Sequence, residues 1–272
     1  MKRVLSILLT TVLLLGVLAA CGVPNRADDA VLCKAGDGNY YALSADGKTF
    51  LYYYPGNESE SFTVPEGVEV VAEGAFAHIP NLRELSFAST VRELDGWIFS
   101  SDFDTIGLKK LTIPASVESY RDKQLEIHSP TLEELTVLCE YESFHVAECR
   151  SLRSITIASV PTELSGDCLL LCESLREIRV VGQEPVRDEA FEAYCATKND
   201  LPVLYIPEGV EILGNGLLYA NVNLYLPDSV RIVDEWVYDN HSTDGTVIVS
   251  APAGAQIGTD STLGHVAEIV RR

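Results

Sequence analysis

Basic residues are scarce in this chain of 272 residues. Twenty Lys and Arg stand against forty Asp and Glu, which gives a formal net charge of −20. A surface of this kind repels nucleic acids and anionic membranes, so we expect neither as a partner of the folded domain. The charge favours cationic partners or bound cations, although simple solvation of an acidic domain also accounts for it.

Sequence motifs of catalysis and metal binding are also missing. None of the five His lies in an H-E-x-x-H pattern, and no G-x-S-x-G, P-loop or G-x-G-x-x-G motif is present. No C-x-x-C pair suggests a zinc site. We therefore expect a non-catalytic protein without a metal or cofactor. An enzyme with its site dispersed along the surface is the minor alternative.

One apolar position recurs along the chain at intervals of 20 to 26 residues. Its nine members are Phe62, Leu85, Leu111, Leu135, Ile155, Ile178, Leu204, Leu224 and Val247. Apolar and polar residues alternate around it, which predicts a short strand with one buried face. A period of about 20–29 residues of this kind is typical of a leucine-rich repeat solenoid. The sequence thus predicts an α/β to mainly β coil, with about nine rungs and one parallel strand per repeat of about 23 residues.

A second apolar column is expected on the far side of each turn. It comprises pairs five residues apart: Val71 and Phe76, Leu94 and Phe99, Tyr120 and Leu125, Leu164 and Leu169, Val186 and Phe191, Leu213 and Leu218, and Val233 and Tyr238. A single repeat cannot bury such groups, but stacked repeats can. The two columns together predict one continuous core.

The repeat carries the residues of a known family. The phrase Leu204-Tyr-Ile206-Pro207-Glu-Gly-Val210, the Ala75-Phe76 pair, and a Cys followed three residues later by Leu resemble the BspA-like leucine-rich repeats of bacterial surface proteins. The resemblance covers roughly residues 40–255. It implies a right-handed solenoid, frequent export and roles in adhesion to host or neighbouring cells. It implies no catalytic site.

The N-terminus has the pattern of an export signal. Met1-Lys2-Arg3 is basic, residues 4–20 are almost wholly apolar, and Leu18-Ala-Ala-Cys21 follows. This last run resembles the bacterial lipobox, which implies cleavage before Cys21 and lipidation of its thiol. An uncleaved anchor is the alternative, but 17 apolar residues are marginal for a span. We expect a bacterial lipoprotein at the cell surface, held on the outer face of the cytoplasmic membrane through the Cys21 lipid only.

The predicted domains follow from these patterns. Residues 1–20 are the signal peptide, 21–32 the lipidated Cys and tether, 33–60 a β-hairpin cap, 61–250 the repeats and 251–272 a C-terminal cap. The hairpin is predicted from Asp46-Gly47 between two apolar runs. The run 265–270 fits either a last strand or a short helix.

The cysteines beyond Cys21 follow the repeat in part. Cys149, Cys172 and Cys195 are spaced by 23 residues and are predicted to stack in one buried column. Export permits disulfides, so the pairs Cys168–Cys172 and Cys139–Cys149 remain open alternatives.

The candidate binding surface is the outward face of the strands. Its middle column consists of Ser86, Thr112, Thr136, Thr156, Arg179, Tyr205 and Tyr225. Arg and Tyr are enriched among binding hot spots, so Arg179, Tyr205 and Tyr225 are the primary candidates, with Thr156 and Thr136 beside them. The alternative is an ordinary solvated strand face.

Together these features predict a monomeric, non-catalytic surface module that binds an unknown protein or glycan ligand, in adhesion or host interaction. The alternative is a structural or assembly lipoprotein of the cell envelope. It would bind peptidoglycan or an envelope protein of its own cell.

Overall fold

The computed structural model is a parallel β-solenoid preceded by a small antiparallel cap. The structure describes residues 30–54, 56–77, 79–94, 98, 107–120, 124–140, 143–165, 168–169, 171–218, 221–234, 237, 247–258 and 266–272. The predicted export signal, Cys21 and nearly all of the predicted tether lie outside these residues.

Three antiparallel strands form the cap: β1 (Val31–Lys34), β2 (Tyr40–Leu43) and β3 (Thr49–Tyr53). β2 and β3 are the predicted hairpin. Its turn is closed by the Ser44 amide, which donates to the Thr49 carbonyl at 2.9 Å. β1 is an additional strand that begins within the segment predicted as tether.

Ten strands form one long sheet that runs the length of the solenoid. In chain order they are β4 (Ser61–Val64), β6 (Glu84–Phe87), β8 (Lys110–Ile113), β11 (Glu134–Val137), β13 (Ser154–Ile157), β15 (Glu177–Val180), β16 (Val203–Tyr205), β18 (Asn223–Tyr225), β20 (Val247–Ala251) and β22 (Val266–Arg271). The first nine contain the nine recurring positions, so the prediction of one parallel strand per repeat is confirmed.

The inward residues of these strands stack into the core. Leu85, Leu111 and Leu135 pair in register on successive strands, and each is at most 2% exposed. Burying a side chain of this size stabilises the fold by about 1.5–3 kcal/mol. Because each rung covers only its neighbours, the core is a stack along the whole coil.

The register departs from the prediction at two later steps. Glu177 pairs with Tyr205, and Leu224 pairs with Val249, so the expected alignment of Leu224 with Val247 is wrong. Both departures shift the pairing by two residues, which keeps each side chain on its face of the sheet. The connection before β16 contains a helix and β20 has five residues, so both places have chain length to absorb the shift.

The turn after two strands of the long sheet needs a glycine. In Pro65-Glu-Gly67-Val68 the Val68 amide donates to the Pro65 carbonyl at 3.3 Å, and Gly67 has φ +94°. Gly209 occupies the same place after β16 with φ +105°. A side chain at either position would strain this left-handed backbone.

Short strands on the far side of the turns form further sheets. β5 (Val70–Val71), β7 (Glu93–Leu94) and β9 (Ser119–Tyr120) continue the cap sheet from β3, and β10 (Gln124–His128) pairs with β12 (Ser143–Ala147). β14 (Glu163–Leu164), β17 (Ile212–Leu213), β19 (Ile232–Val233) and β21 (Gln256–Ile257) form the fourth sheet. All of these pairings between short strands are parallel.

The second apolar column is confirmed in most repeats. Val71, Leu94, Leu164, Leu213 and Val233 are buried in the main core. The prediction is wrong for the pair Val186 and Phe191, which belongs to a separate apolar cluster. These two residues lie in the connection between β15 and β16, which departs from the repeat. Phe99 and Tyr238 lie outside the described residues.

The C-terminal run is a strand rather than a helix. β22 pairs in parallel with β20 and extends the long sheet by one more strand. The remaining element within the described part of the chain is the helix α1 (Glu189–Ala196), in the connection between β15 and β16.

Candidate binding surface

The outward face of the long sheet carries a regular polar surface between β4 and β15. We call it the open strip; it consists of Ser61, Thr63, Glu84, Ser86, Lys110, Thr112, Glu134, Thr136, Ser154, Thr156, Glu177 and Arg179. Each of these side chains is half-buried or exposed, while the residues between them are buried. The open strip is therefore the accessible side of six stacked strands.

A column of hydroxyl groups runs along the middle of the open strip. Thr112, Thr136 and Thr156 pair in register on three successive strands, about 4.8 Å apart. At the N-terminal end the hydroxyls of Thr63 and Ser86 lie 2.8 Å from each other. Each hydroxyl both donates and accepts hydrogen bonds, so the column presents a repeated pattern of polar contacts.

Charged residues flank the hydroxyl column on the side where the strands begin. The Lys110 ammonium lies 3.9 Å from the Glu84 carboxylate and 3.4 Å from that of Glu134. Next to them, Lys109 pairs with Glu133 at 2.8 Å. All five residues of these bridges are partly exposed, so water and salt weaken the pairs.

Arg179 lies at the C-terminal end of the open strip. Its guanidinium is 2.5 Å from the Glu177 carboxylate, and this hydrogen bond raises the pKa of Arg179. The Arg187 guanidinium approaches the other oxygen of Glu177 at 3.4 Å. Glu177 thus neutralises part of the positive charge of these two neighbouring arginines.

Beyond Arg179 the helix α1 covers the sheet. Asp188 caps its N-terminus by accepting a hydrogen bond from the Phe191 amide at 2.9 Å. Glu189 and Glu192 lie in the first turn, where negative charge is favourable. Phe191 and Cys195 are the buried residues of the helix, and both point into the cluster that covers the sheet.

Tyr205 and Tyr225 lie beneath this helix and are not available to a ligand. They are 4% and 8% exposed, and their rings lie 5.3 Å apart in a cluster with Phe191 and Ile248. Burial is the main cause that raises the pKa of Tyr205, whose hydroxyl donates to Glu192 at 2.8 Å. The expectation that the two tyrosines are exposed on the strip is wrong, because the helical connection packs on them.

The C-terminal end of the chain completes this cover. The Arg272 guanidinium lies 4.1 Å from the centre of the Tyr225 ring. The Tyr194 hydroxyl of the helix donates to Glu268 of β22 at 2.5 Å. Of the five candidate residues, the open strip therefore retains Thr136, Thr156 and Arg179; whether they bind a ligand stays a prediction.

The helix has a sequence signal that repeat spacing hides. Asp188 precedes a run rich in Glu and Ala, which is typical of a capped helix start. The interval between Ile178 and Leu204 is 26 residues, one of the two longest in the chain. Phe191 also fits the apolar spacing of the repeat, and this coincidence leads to its incorrect assignment to the second apolar column.

The cysteines divide between the two clusters. Cys149 and Cys172 are buried in the main core, and each thiol donates to a backbone carbonyl, that of Ile127 and that of Val146 respectively. Cys195 lies on α1 instead, so the prediction that all three stack in one column is wrong for Cys195. None of the six cysteines within the described residues is in a disulfide.

Among the described residues, no group of three or more His, Cys, Asp and Glu is placed to hold a metal ion. Within the same residues, no helix has the length and apolar character needed to cross a membrane.

The solenoid with an open polar sheet face defines a repeat protein of the leucine-rich class. The family model described as the BspA type leucine rich repeat region matches in six copies, over residues 49–175 and 133–244. These matches span more than half of the sequence. The chain belongs to the BspA-type leucine-rich repeat family, and this membership supports a protein-interaction module.

The chain is also similar to solved structures of bacterial proteins. The pneumococcal vaccine antigen PcpA is 18% identical, with a TM-score of 0.42, over 87% of this chain and 49% of that one. A leucine-rich repeat protein from Eubacterium ventriosum is 15% identical, with a TM-score of 0.35, over 87% of this chain and 52% of that one. A third structure, a leucine-rich repeat protein from Bacteroides ovatus, is 15% identical, with a TM-score of 0.37, over 90% of this chain and 76% of that one.

This chain thus spans about half the length of the first two of these structures. Among curated proteins, none matches it.

Proposed function

We propose that this protein is a non-catalytic binding module at the bacterial cell surface, held there by a lipid on Cys21, and that the open strip is its ligand-binding surface. Adhesion to a host or neighbouring cell is the role this arrangement supports best. The lipid and the location rest on the export signal and the lipobox-like run that ends at Cys21.

One observation carries the assignment of the surface. Six consecutive strands present polar side chains on one accessible face, whereas the next strands are covered by α1 and their tyrosines are buried. An extended ligand one chain wide fits along such a face and can contact a hydroxyl on each successive rung. Repeated weak contacts of this kind add up along a solenoid surface.

The test places longer, uncharged side chains on the open strip, so that a ligand is blocked while the charge of the surface stays the same. The full chain, purified in detergent after processing, is applied to an array of matrix proteins, mucins, glycans and peptidoglycan. Thr112→Gln combined with Thr136→Gln places two longer side chains on adjacent rungs. Ser89→Gln, at an exposed position beyond β6, is the matched control.

We expect a ligand that the wild-type chain and the Ser89 variant bind and that the Thr112/Thr136 variant loses. Binding that survives the double substitution would place the site elsewhere, and silence of the wild-type chain across the array would contradict a binding role outside the cell.

The anchor is tested separately by Cys21→Ser. We expect the wild-type chain in the membrane fraction of bacterial cells and the variant in the soluble fraction or medium. Lipidation at Cys21 is contradicted if the variant stays with the membrane and the wild-type N-terminal peptide has the mass of an unmodified chain.

A further inference from the structure

Two buried cysteines occupy equivalent places on neighbouring rungs. Cys149 and Cys172 are 23 residues apart, which is one repeat, and they are 0% and 1% exposed. The carbonyl of each accepts a hydrogen bond from the amide of a following leucine, at 3.0 Å for Leu152 and 3.1 Å for Leu175. The residue before each cysteine has φ +56°. The two cysteines therefore share one local backbone conformation and are stacked one rung apart.

Their side chains meet inside the core. Stacked rungs are about 4.8 Å apart, which lies within the Cα separation of about 4.4–6.8 Å that a disulfide bridges. The Cys149 thiol donates to the Ile127 carbonyl at 3.6 Å and the Cys172 thiol to the Val146 carbonyl at 3.3 Å. Ile127 and Val146 are partners on β10 and β12. The two thiols also interact directly, and this interaction, followed by burial, raises the pKa of Cys172.

The two pairs that the sequence leaves open fit the structure less well. Cys139 follows β11 of the long sheet, whereas Cys149 follows β12 on the far side of the coil. Cys168 is only half-buried, and its thiol donates to the Ser165 carbonyl in the same loop. Neither pair occupies one repeated position of the coil, as Cys149 and Cys172 do.

The cysteine pair lies where the far side of the coil is interrupted. The short strands there form three separate sheets: one that ends with β9, the pair of β10 with β12, and one that begins with β14. In the described part of the chain, β12 is therefore not paired with β14. A covalent bond between Cys149, just after β12, and Cys172, which follows β14, would join the two rungs across this interruption.

We propose that Cys149 and Cys172 form a disulfide while the exported chain folds, and that this bond holds the two rungs together. Export, as proposed above, takes the chain into an environment in which disulfides persist. A small-molecule disulfide such as oxidised glutathione is the oxidant. Each cysteine loses its thiol proton, one sulfur–sulfur bond forms between them, and the bond of oxidised glutathione is reduced to two thiols.

Burial of the pair fixes the time at which this bond forms. The thiolate is the reacting species, and a buried thiol with a raised pKa stays protonated and shielded at neutral pH. The folded, reduced chain should therefore resist oxidation, and the folded, bonded chain should resist reduction. The redox conditions during folding then decide which of the two forms persists.

The test compares folding under oxidising and reducing conditions. The full chain is unfolded with a reductant and refolded either in oxidised glutathione or in reductant, and the free thiols are then blocked by alkylation. Trypsin cleaves after Arg150 and Arg153, so the peptides that contain Cys149 and Cys172 separate unless a disulfide joins them. Mass spectrometry without reduction detects the joined peptides.

Two variants identify the bonded pair. The same two peptides also contain Cys139 and Cys168, so Cys139→Ala with Cys168→Ala leaves Cys149 and Cys172 as the cysteines that can join them. Cys149→Ala is the matched negative control. If the double variant does not fold, fragmentation of the joined wild-type peptides in the mass spectrometer assigns the two sulfur atoms instead.

After oxidative refolding we expect the link between Cys149 and Cys172 in the wild type and in the double variant, and its absence in the Cys149 variant. The bonded form should melt about 5 °C or more above the reduced form, because the bond restricts the unfolded chain. The folded, reduced chain should stay unlinked in the same oxidised glutathione for the time in which refolding completes the bond.

Three results would overturn the proposal: no link after oxidative refolding, a link through Cys139 or Cys168 in its place, or equal melting temperatures of the two forms. Linking of the folded chain as fast as the refolding chain would overturn the claim that folding fixes the redox state. These measurements need no ligand, so they decide the proposal whether or not the open strip binds one.

Discussion

The long sheet is open over β4 to β15 and covered over β16 to β20, although the same repeat builds both parts. In the open part the middle column consists of hydroxyl residues and Arg179, and every member is half-buried or exposed. In the covered part the equivalent side chains are Tyr205 and Tyr225, which are buried with Ile248 beneath α1. The two parts therefore differ at the same position of the repeat, which carries small polar residues where the sheet face is open and tyrosines where the helical connection packs on it.

The cover depends on tertiary contacts. A helix of eight residues is too short to be stable alone, so α1 is held by what it packs against. Its contacts with the sheet include the ring of Phe191 against Tyr225, at 5.6 Å between centroids, and the hydrogen bonds of Tyr205 with Glu192 and Asp188. Removing these contacts should therefore release the helix and expose the covered part of the sheet.

The largest effect is expected from Phe191→Ala. Phe191 is 5% exposed, and truncation of a buried aromatic residue costs about 3–5 kcal/mol of unfolding free energy. We expect urea unfolding to show a loss of this order. Hydrogen exchange should become faster in residues 189–196 and at β16, while the exchange of β6 to β11 stays as in the wild type.

Ala193→Ser, at an exposed position of the same helix, is the control and should change the unfolding free energy by only a few tenths of a kcal/mol. A cost below about 1 kcal/mol for Phe191→Ala would mean that α1 contributes little to the cover, and the distinction between the two parts would lose its physical basis.

A smaller effect is expected at the helix cap. Asp188→Ala removes the carboxylate that accepts a hydrogen bond from the Phe191 amide at 2.9 Å. Loss of such a cap lowers the free energy of unfolding by about 1 kcal/mol. Asp188→Asn retains an accepting oxygen and should preserve most of the stability. We expect differential scanning calorimetry to rank the melting temperatures as wild type, Asn variant, Ala variant. Equal melting of the Asn and Ala variants would show that the cap bond contributes nothing.

The open part of the molecule follows closely from its sequence. The recurring apolar position, the alternation around it and the outward hydroxyl column of Thr112, Thr136 and Thr156 all agree with the structure. The reason is that a solenoid repeat buries its core against identical neighbours, so local spacing and three-dimensional packing contain the same information.

The covered part does not follow from the repeat. The sequence places Tyr205 and Tyr225 on the outward face correctly, but their burial depends on a connection that returns across the sheet. Cys195 and Phe191 match the period by coincidence while lying on that connection. A non-local contact of this kind is determined by packing between distant segments, which spacing within one repeat does not describe.

The smallest effect is expected from Lys110→Ala in the open part. Lys110 lies within 4 Å of Glu84 and Glu134, but the side chains of all three residues are about half exposed. Exposed ion pairs contribute at most about 1 kcal/mol each and are screened by salt. We expect a small loss of unfolding free energy at low salt that disappears at high salt, where the variant and the wild type should unfold at the same urea concentration. A large loss that persists at high salt would mean that the open strip, like the covered part, is held by packing, and the contrast between the two parts would then reduce to the presence of α1 alone.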